Sequence, residues 1–255
     1  MHPLIARYLS PEAARETLEK EKNGEPLGPE ERLFAQTAAA HPDKRNELMG
    51  GKGKRHLSSD AEAAVVFLAA YAATRAIAED APLKDATLKA RESLKAEGAT
   101  DDETDAFIAA ILLEEAFGYE EEVETFDSSF VQEALGEVPS LAALTREQVD
   151  ALILGFEKGA KDDMERTVRA HISRALVNIA WGEGPTPINP EHMEALYETE
   201  IVDKPEAEIE ARLRAIVDFL QVLAKEGLVG TQRLSRLRAQ LGDEEGIEEA
   251  EELPS

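Results

Sequence analysis

Asp101, Asp102 and Asp105 stand in the pattern D-D-x-x-D. Hard carboxylates gathered on one helical turn suit Mg²⁺, which takes oxygen ligands and keeps several waters for a phosphate-bearing substrate. Asp162-Asp163-Met164-Glu165 is a second acidic cluster of related form. Asp101 also follows Thr100 where a helix would begin, and there acids are favoured by the macrodipole without any metal. The chain holds 53 Asp and Glu, so such spacings arise readily.

The five residues Asp101-Asp102-Glu103-Thr104-Asp105 resemble the metal motif of isoprenoid synthases, which are all-helical; the resemblance implies a diphosphate held through Mg²⁺. It covers this segment alone. No second metal motif of that family is present, and aromatic residues, which line the cavity in such enzymes, make up 5% of the chain. No cofactor is expected on this ground. The five histidines, His2, His41, His56, His171 and His192, show no Glu-x-x-His, H-x-x-x-H or HExxH spacing, so no local zinc or di-iron signature is present. Cysteine is absent, which removes thiolate sites, disulfides and a cysteine nucleophile. G-x-S-x-G is absent too. An enzyme is disfavoured.

Binding chemistry has three other candidates. Lys52, Lys54, Arg55 and His56 follow Gly50-Gly51 with Gly53 between the lysines; backbone N–H groups and charge there would suit an anion or an acidic partner. The segment is not a Walker A loop, and a surface loop that offsets neighbouring acids is the plainer reading. Thr167, His171, Arg174 and Asn178 are spaced four, three and four apart. They share one ridge of a helix, where they would line a pocket or hydrogen-bond to the next element. Trp181, the single tryptophan, and Arg233, Arg236 and Arg238 of the last basic segment are interface candidates.

The elements that must position these groups are helices. Thr100 and Thr145 open capping boxes with Glu103 and Gln148 three residues on. Ser10-Pro11 and Gly28-Pro29 place proline at a first helical position. Ala61–Glu79 is apolar all round, which predicts a central helix. Asp127 predicts a short helix ending at Leu135, and Lys161–Trp181 is one helix. The segment Pro205–Glu226 is amphipathic, with Ile209, Leu213, Ile216, Val217, Leu220 and Leu223 on one face. That face would serve as core or as a homo-oligomer contact. β-branched alternation and Asn-Gly turns are missing. The spacing therefore predicts an all-α bundle of about ten helices. A main domain spans residues 1–181 and a Gly/Pro-rich linker or loop spans 182–190. A smaller helical module spans 191–242, followed by a disordered acidic tail over 243–255.

Lys and Arg number 28 against the 53 acids, a formal charge of −25. Such a surface repels phosphates and anionic lipid. Nucleic acid is an unlikely ligand, although mimicry of DNA or binding through the basic loop stays an alternative, and no membrane association is expected. No signal sequence or spanning segment is visible, which points to a cytoplasmic protein. The first expectation is a non-enzymatic interaction protein, an adaptor, regulator or complex subunit, whose partner is another protein with a basic surface. A Mg²⁺-dependent enzyme built on Asp101–Asp105 is the alternative.

Overall fold

Helix starts in this chain are written locally, and the structure, a computed structural model, uses them. It describes residues 1–50, 59–119, 125–182 and 184–242. Lys52, Lys54, Arg55 and His56, the acidic connector Glu120–Glu124 and the tail 243–255 lie outside the described residues. Among the described residues there are thirteen α-helices and no strand. No helix there is long and apolar enough to cross a membrane. They form two compact units, one within residues 1–91 and 99–132 and the other within residues 92–98 and 133–242, so that the stretch 182–190 lies inside the second unit.

The first unit is arranged around α5 (Ser59–Ile77), which touches α1 (Pro3–Arg7), α2 (Pro11–Lys22), α3 (Pro29–Ala40), α4 (Pro42–Gly50) and α7 (Asp101–Phe117). Residues 68–74 of α5 are buried without a break. A helix wrapped on all sides has no polar face, which explains its composition. Its alanines, Ala69, Ala70, Ala72 and Ala73, let neighbouring backbones come close. The hydroxyl of Thr74 is satisfied, since its Oγ1 donates to Tyr71 O at 2.8 Å.

Helix α1 carries no period long enough to read in sequence. It is held by tertiary contacts: Leu4, Ile5 and Tyr8 are buried, and Tyr8 stacks on Phe34 with centroids 4.0 Å apart. His2 caps it, its Nδ1 accepting from Leu4 N at 3.2 Å, with the ring edge-on to Phe126 at 5.0 Å. Burial holds His2 below the ordinary imidazole range, against the pull of Glu115, Asp80 and Glu30. The unfolded chain then takes up the proton at about pH 6.5, before the folded chain does, so stability falls as pH drops below that value. Protonation also fills the Nδ1 lone pair that caps α1. Urea midpoints at about pH 7.5 and about pH 5.5 should fall further for the native chain than for His2→Asn, which keeps a capping acceptor without titrating. Equal slopes would remove His2 from the acid response.

The units divide within α6 (Lys84–Ala96) and α8 (Ser128–Ala142). Asp127 Oδ1 accepts from Phe130 N at 3.0 Å and from Ser129 N at 3.1 Å, which starts α8 as its position suggests. The helix does not end at Leu135. It runs on through Gly136 and Pro139. Val138 and Leu141 continue the buried stripe of Ala134 and Leu135, and that burial outweighs the hydrogen bond lost at proline.

In the second unit, α12 (Glu206–Lys225) packs against α9 (Arg146–Lys158), α10 (Asp163–Trp181) and α13 (Thr231–Gln240), and α11 (Pro190–Glu200) lies on α10. Ile216, Leu220 and Leu223 of the apolar face of α12 are fully buried, with Phe219 beside them, while Ile209, Leu213 and Val217 are half-buried. Helix α13 begins against α8. Its N-cap, Gly230, has no side chain to offer, and the free N–H groups of the first turn are met from outside. Glu137 Oε1 accepts from Gly230 N at 2.7 Å; Glu133 accepts from Thr231 N at 2.7 Å and Gln232 N at 2.8 Å. A Cβ on residue 230 would lie 2.7 Å from Glu133 Cγ, so the approach requires glycine.

Candidate functional site

Helices α9 and α10 are joined by a short turn, Gly159–Asp162, and such connections make antiparallel neighbours. Each end is fixed by its own cap. Thr145 Oγ1 accepts from Gln148 N at 3.3 Å while Gln148 Oε1 accepts from Thr145 N at 2.8 Å. Asp162 Oδ1 accepts from Glu165 N at 2.8 Å, and Glu165 accepts from Lys161 N at 2.8 Å. The second acidic cluster is therefore a helix start. Inside the hairpin, Arg169 sits over the Phe156 ring at 4.6 Å and reaches Asp218 of α12 at 3.2 Å.

Along one side of this hairpin the two helices leave a groove of about 780 Å³. Helix α9 contributes Arg146, Val149, Asp150, Ile153, Leu154 and Glu157, and α10 contributes Arg174, Val177, Asn178 and Trp181. Val149, Ile153 and Trp181 are 9%, 7% and 8% exposed. They are core residues whose outer edges form the floor of the groove. Leu154 stands on the wall, a large apolar side chain left 49% exposed. At one end Arg174 and Glu157 form an ion pair at 2.5 Å. Among the described residues Arg146 and Asp150 have no ion-pair partner and Asn178 has no hydrogen-bond partner. An apolar floor with a polar rim is the anatomy of a protein-binding surface. A second, smaller cavity of about 480 Å³ lies beside it, sharing Leu144 and lined by Ser140, Gln148, Leu152 and Leu228.

The ridge Thr167, His171, Arg174 and Asn178 is exposed throughout, and the structure divides it. Arg174 and Asn178 line the groove. Thr167 Oγ1 donates to Asp163 O at 2.9 Å within its own helix. His171 Nε2 lies 2.6 Å from Glu200, which also binds Arg212 at 2.6 Å, so His171 fastens α11 and α12 to α10. Trp181 has two roles at once. Its Nε1 donates to Thr186 O at 2.8 Å, holding the Gly/Pro loop, while one side of the ring faces the groove. Thr186 Oγ1 donates to Ala180 O at 3.0 Å, closing the same turn.

Arg233 is not a surface contact. It is 1% exposed and ion-paired with Glu137, itself 3% exposed, so it neutralises the buried one of the two glutamates that cap the first turn of α13. Arg236 and Arg238 of α13 are half-buried and engaged in interactions of their own. Asp101 and Asp102 are exposed on the first turn of α7, and Glu103 between them and Asp105 belongs to the capping box, accepting from Thr100 N at 2.7 Å. Asp105 faces Arg91 at 2.5 Å. Among the described residues no group of three or more His, Asp or Glu is placed to hold a metal.

The half of the site on α9 is not evident from sequence. Val149, Ile153 and Phe156 read as its inward stripe, and Leu154, one residue round, looks like a stray apolar residue; only the open side of the α9–α10 pair gives it meaning. No protein-family model, curated protein or solved structure matches this chain.

Proposed function

We propose that the protein is a non-enzymatic interaction module, an adaptor, regulator or complex subunit, which receives a helical segment of a partner protein in the groove between α9 and α10. The observation that carries this reading is the apolar floor of Val149, Ile153 and Trp181 beside the exposed Leu154. Grooves formed by two helices take an amphipathic helix through anchors at i, i+3/i+4 and i+7, and tryptophan is a frequent energetic anchor in such surfaces. The formal charge of −25 adds long-range attraction to a partner with a basic surface, which acts on the rate of encounter more than on final affinity. The Mg²⁺ alternative is weakened by the pairing of Asp105 with Arg91 and of Glu103 with the Thr100 backbone.

The chain has no cysteine, so a single one is a clean attachment point. Leu154→Cys carrying a benzophenone maleimide, photolysed in lysate of the source organism, should join to one dominant protein. The same reagent on Leu88→Cys, at a site 44% exposed in the first unit, should not. Identical or diffuse adducts from both positions would sink the groove as a docking site.

A further inference from the structure

Resting on that reading, we infer that the docked helix carries an acidic and a basic side chain four residues apart on one flank of its apolar stripe, the acid meeting Arg146 and the base meeting Asp150. Arg146 and Asp150 lie one turn apart on the same helix, both line the groove and both are exposed. Neither has an ion-pair partner among the described residues. An apolar helix laid over the floor would strip water from both, and a desolvated charge without a partner disfavours binding strongly.

The order of the charges excludes simpler partners. A polycationic segment is attracted by the protein as a whole but meets Arg146 at the groove. A polyanionic one is repelled by the whole and by Asp150. Arg146 is also the first residue of α9, directly after the Thr145 cap, so the positive end of the helix adds to its charge. A carboxylate is therefore favoured there and a cation one turn further in. Side chains four apart on a partner helix rise by about 6 Å, the same spacing that separates Arg146 from Asp150. Asn178 on the opposite wall, unpaired, is left to hydrogen-bond a polar group on the other flank. From Arg146 to Glu157 the groove spans about 16 Å of helix, room for about three turns of the ligand. The Arg174–Glu157 pair at its far end is already satisfied and makes no demand on sequence.

The probe is a displayed library of 14-residue helical peptides without tryptophan, with Leu fixed along one stripe and every flank position randomised, selected on the intact chain. Binding is read by the fluorescence of Trp181, the only tryptophan. Enriched peptides are expected to carry an acid and a base four positions apart. They should bind the Arg146→Glu/Asp150→Arg double variant at least tenfold more weakly, and a peptide with the two charges exchanged should prefer that variant. Enriched peptides that shift Trp181 and are lost on Leu154→Asp, yet show no charge spacing and bind the double variant equally, would overturn the charge pattern and leave the groove reading standing. No selected peptide that shifts Trp181 would overturn both.

Discussion

Replacing Arg233 by alanine is expected to destabilise the protein by about 3–5 kcal/mol, the loss typical of a buried ion pair stripped of one partner. The side chain is among the largest fully buried ones described, and Glu137 beside it is 3% exposed. Without the guanidinium, Glu137 stays fixed to Gly230 N and cannot turn out to water. Its charge would be left buried, without its ion-pair partner. The first turn of α13 would lose the arrangement in which Glu133 and Glu137 place negative charge on its positive end. The double replacement Arg233→Met/Glu137→Leu removes both charges and should recover a large part of the loss, because burying an ion pair gains little over apolar side chains of similar size. Urea unfolding of the three chains measures this. A loss below about 1 kcal/mol for Arg233→Ala would mean that Glu137 is solvated in solution.

Leu154→Asp should lower partner affinity at least tenfold while leaving stability within about 0.5 kcal/mol, the usual range for exposed substitutions. Half of the leucine surface is already in water, so the folded chain alone loses little. In the complex the same atoms are covered, and a carboxylate there would be desolvated without a partner. Ile153, one residue away and 7% exposed, is the contrast. Ile153→Asp would also abolish binding, but by breaking the packing of α9, and it separates nothing. A Leu154→Asp chain that melts with the native chain and fails to bind assigns the leucine to the interface. One that binds as well as the native chain removes Leu154 from it.

What sequence could foretell follows from how far apart the deciding residues lie. Thr100 with Glu103 and Thr145 with Gln148 are three apart, and both capping boxes form as their spacing implies. The all-round apolar pattern of α5 needs no partner to be named before it reads as buried. Arg233 behaves otherwise: it sits on a basic segment that looks exposed, and its ion-pair partner, Glu137, is on another helix across 96 positions of sequence. The continuation of α8 past Pro139 likewise depends on what buries Val138 and Leu141. The ridge Thr167–Asn178 is real as a helical spacing, but Thr167 bonds within its own helix, His171 meets Glu200 of α11, and only Arg174 and Asn178 reach the groove. A groove is the surface other elements leave uncovered, and no local pattern states which surface that will be.

The most direct test of the groove as the docking site is a paired affinity purification. The intact native chain and Leu154→Asp are presented as bait to the same nuclease-treated lysate at moderate salt, and bound proteins are quantified by mass spectrometry. A partner that is stoichiometric on the native chain and depleted at least tenfold on Leu154→Asp is the expected result. The same partners in equal amounts on both baits, or none on either, would contradict the account.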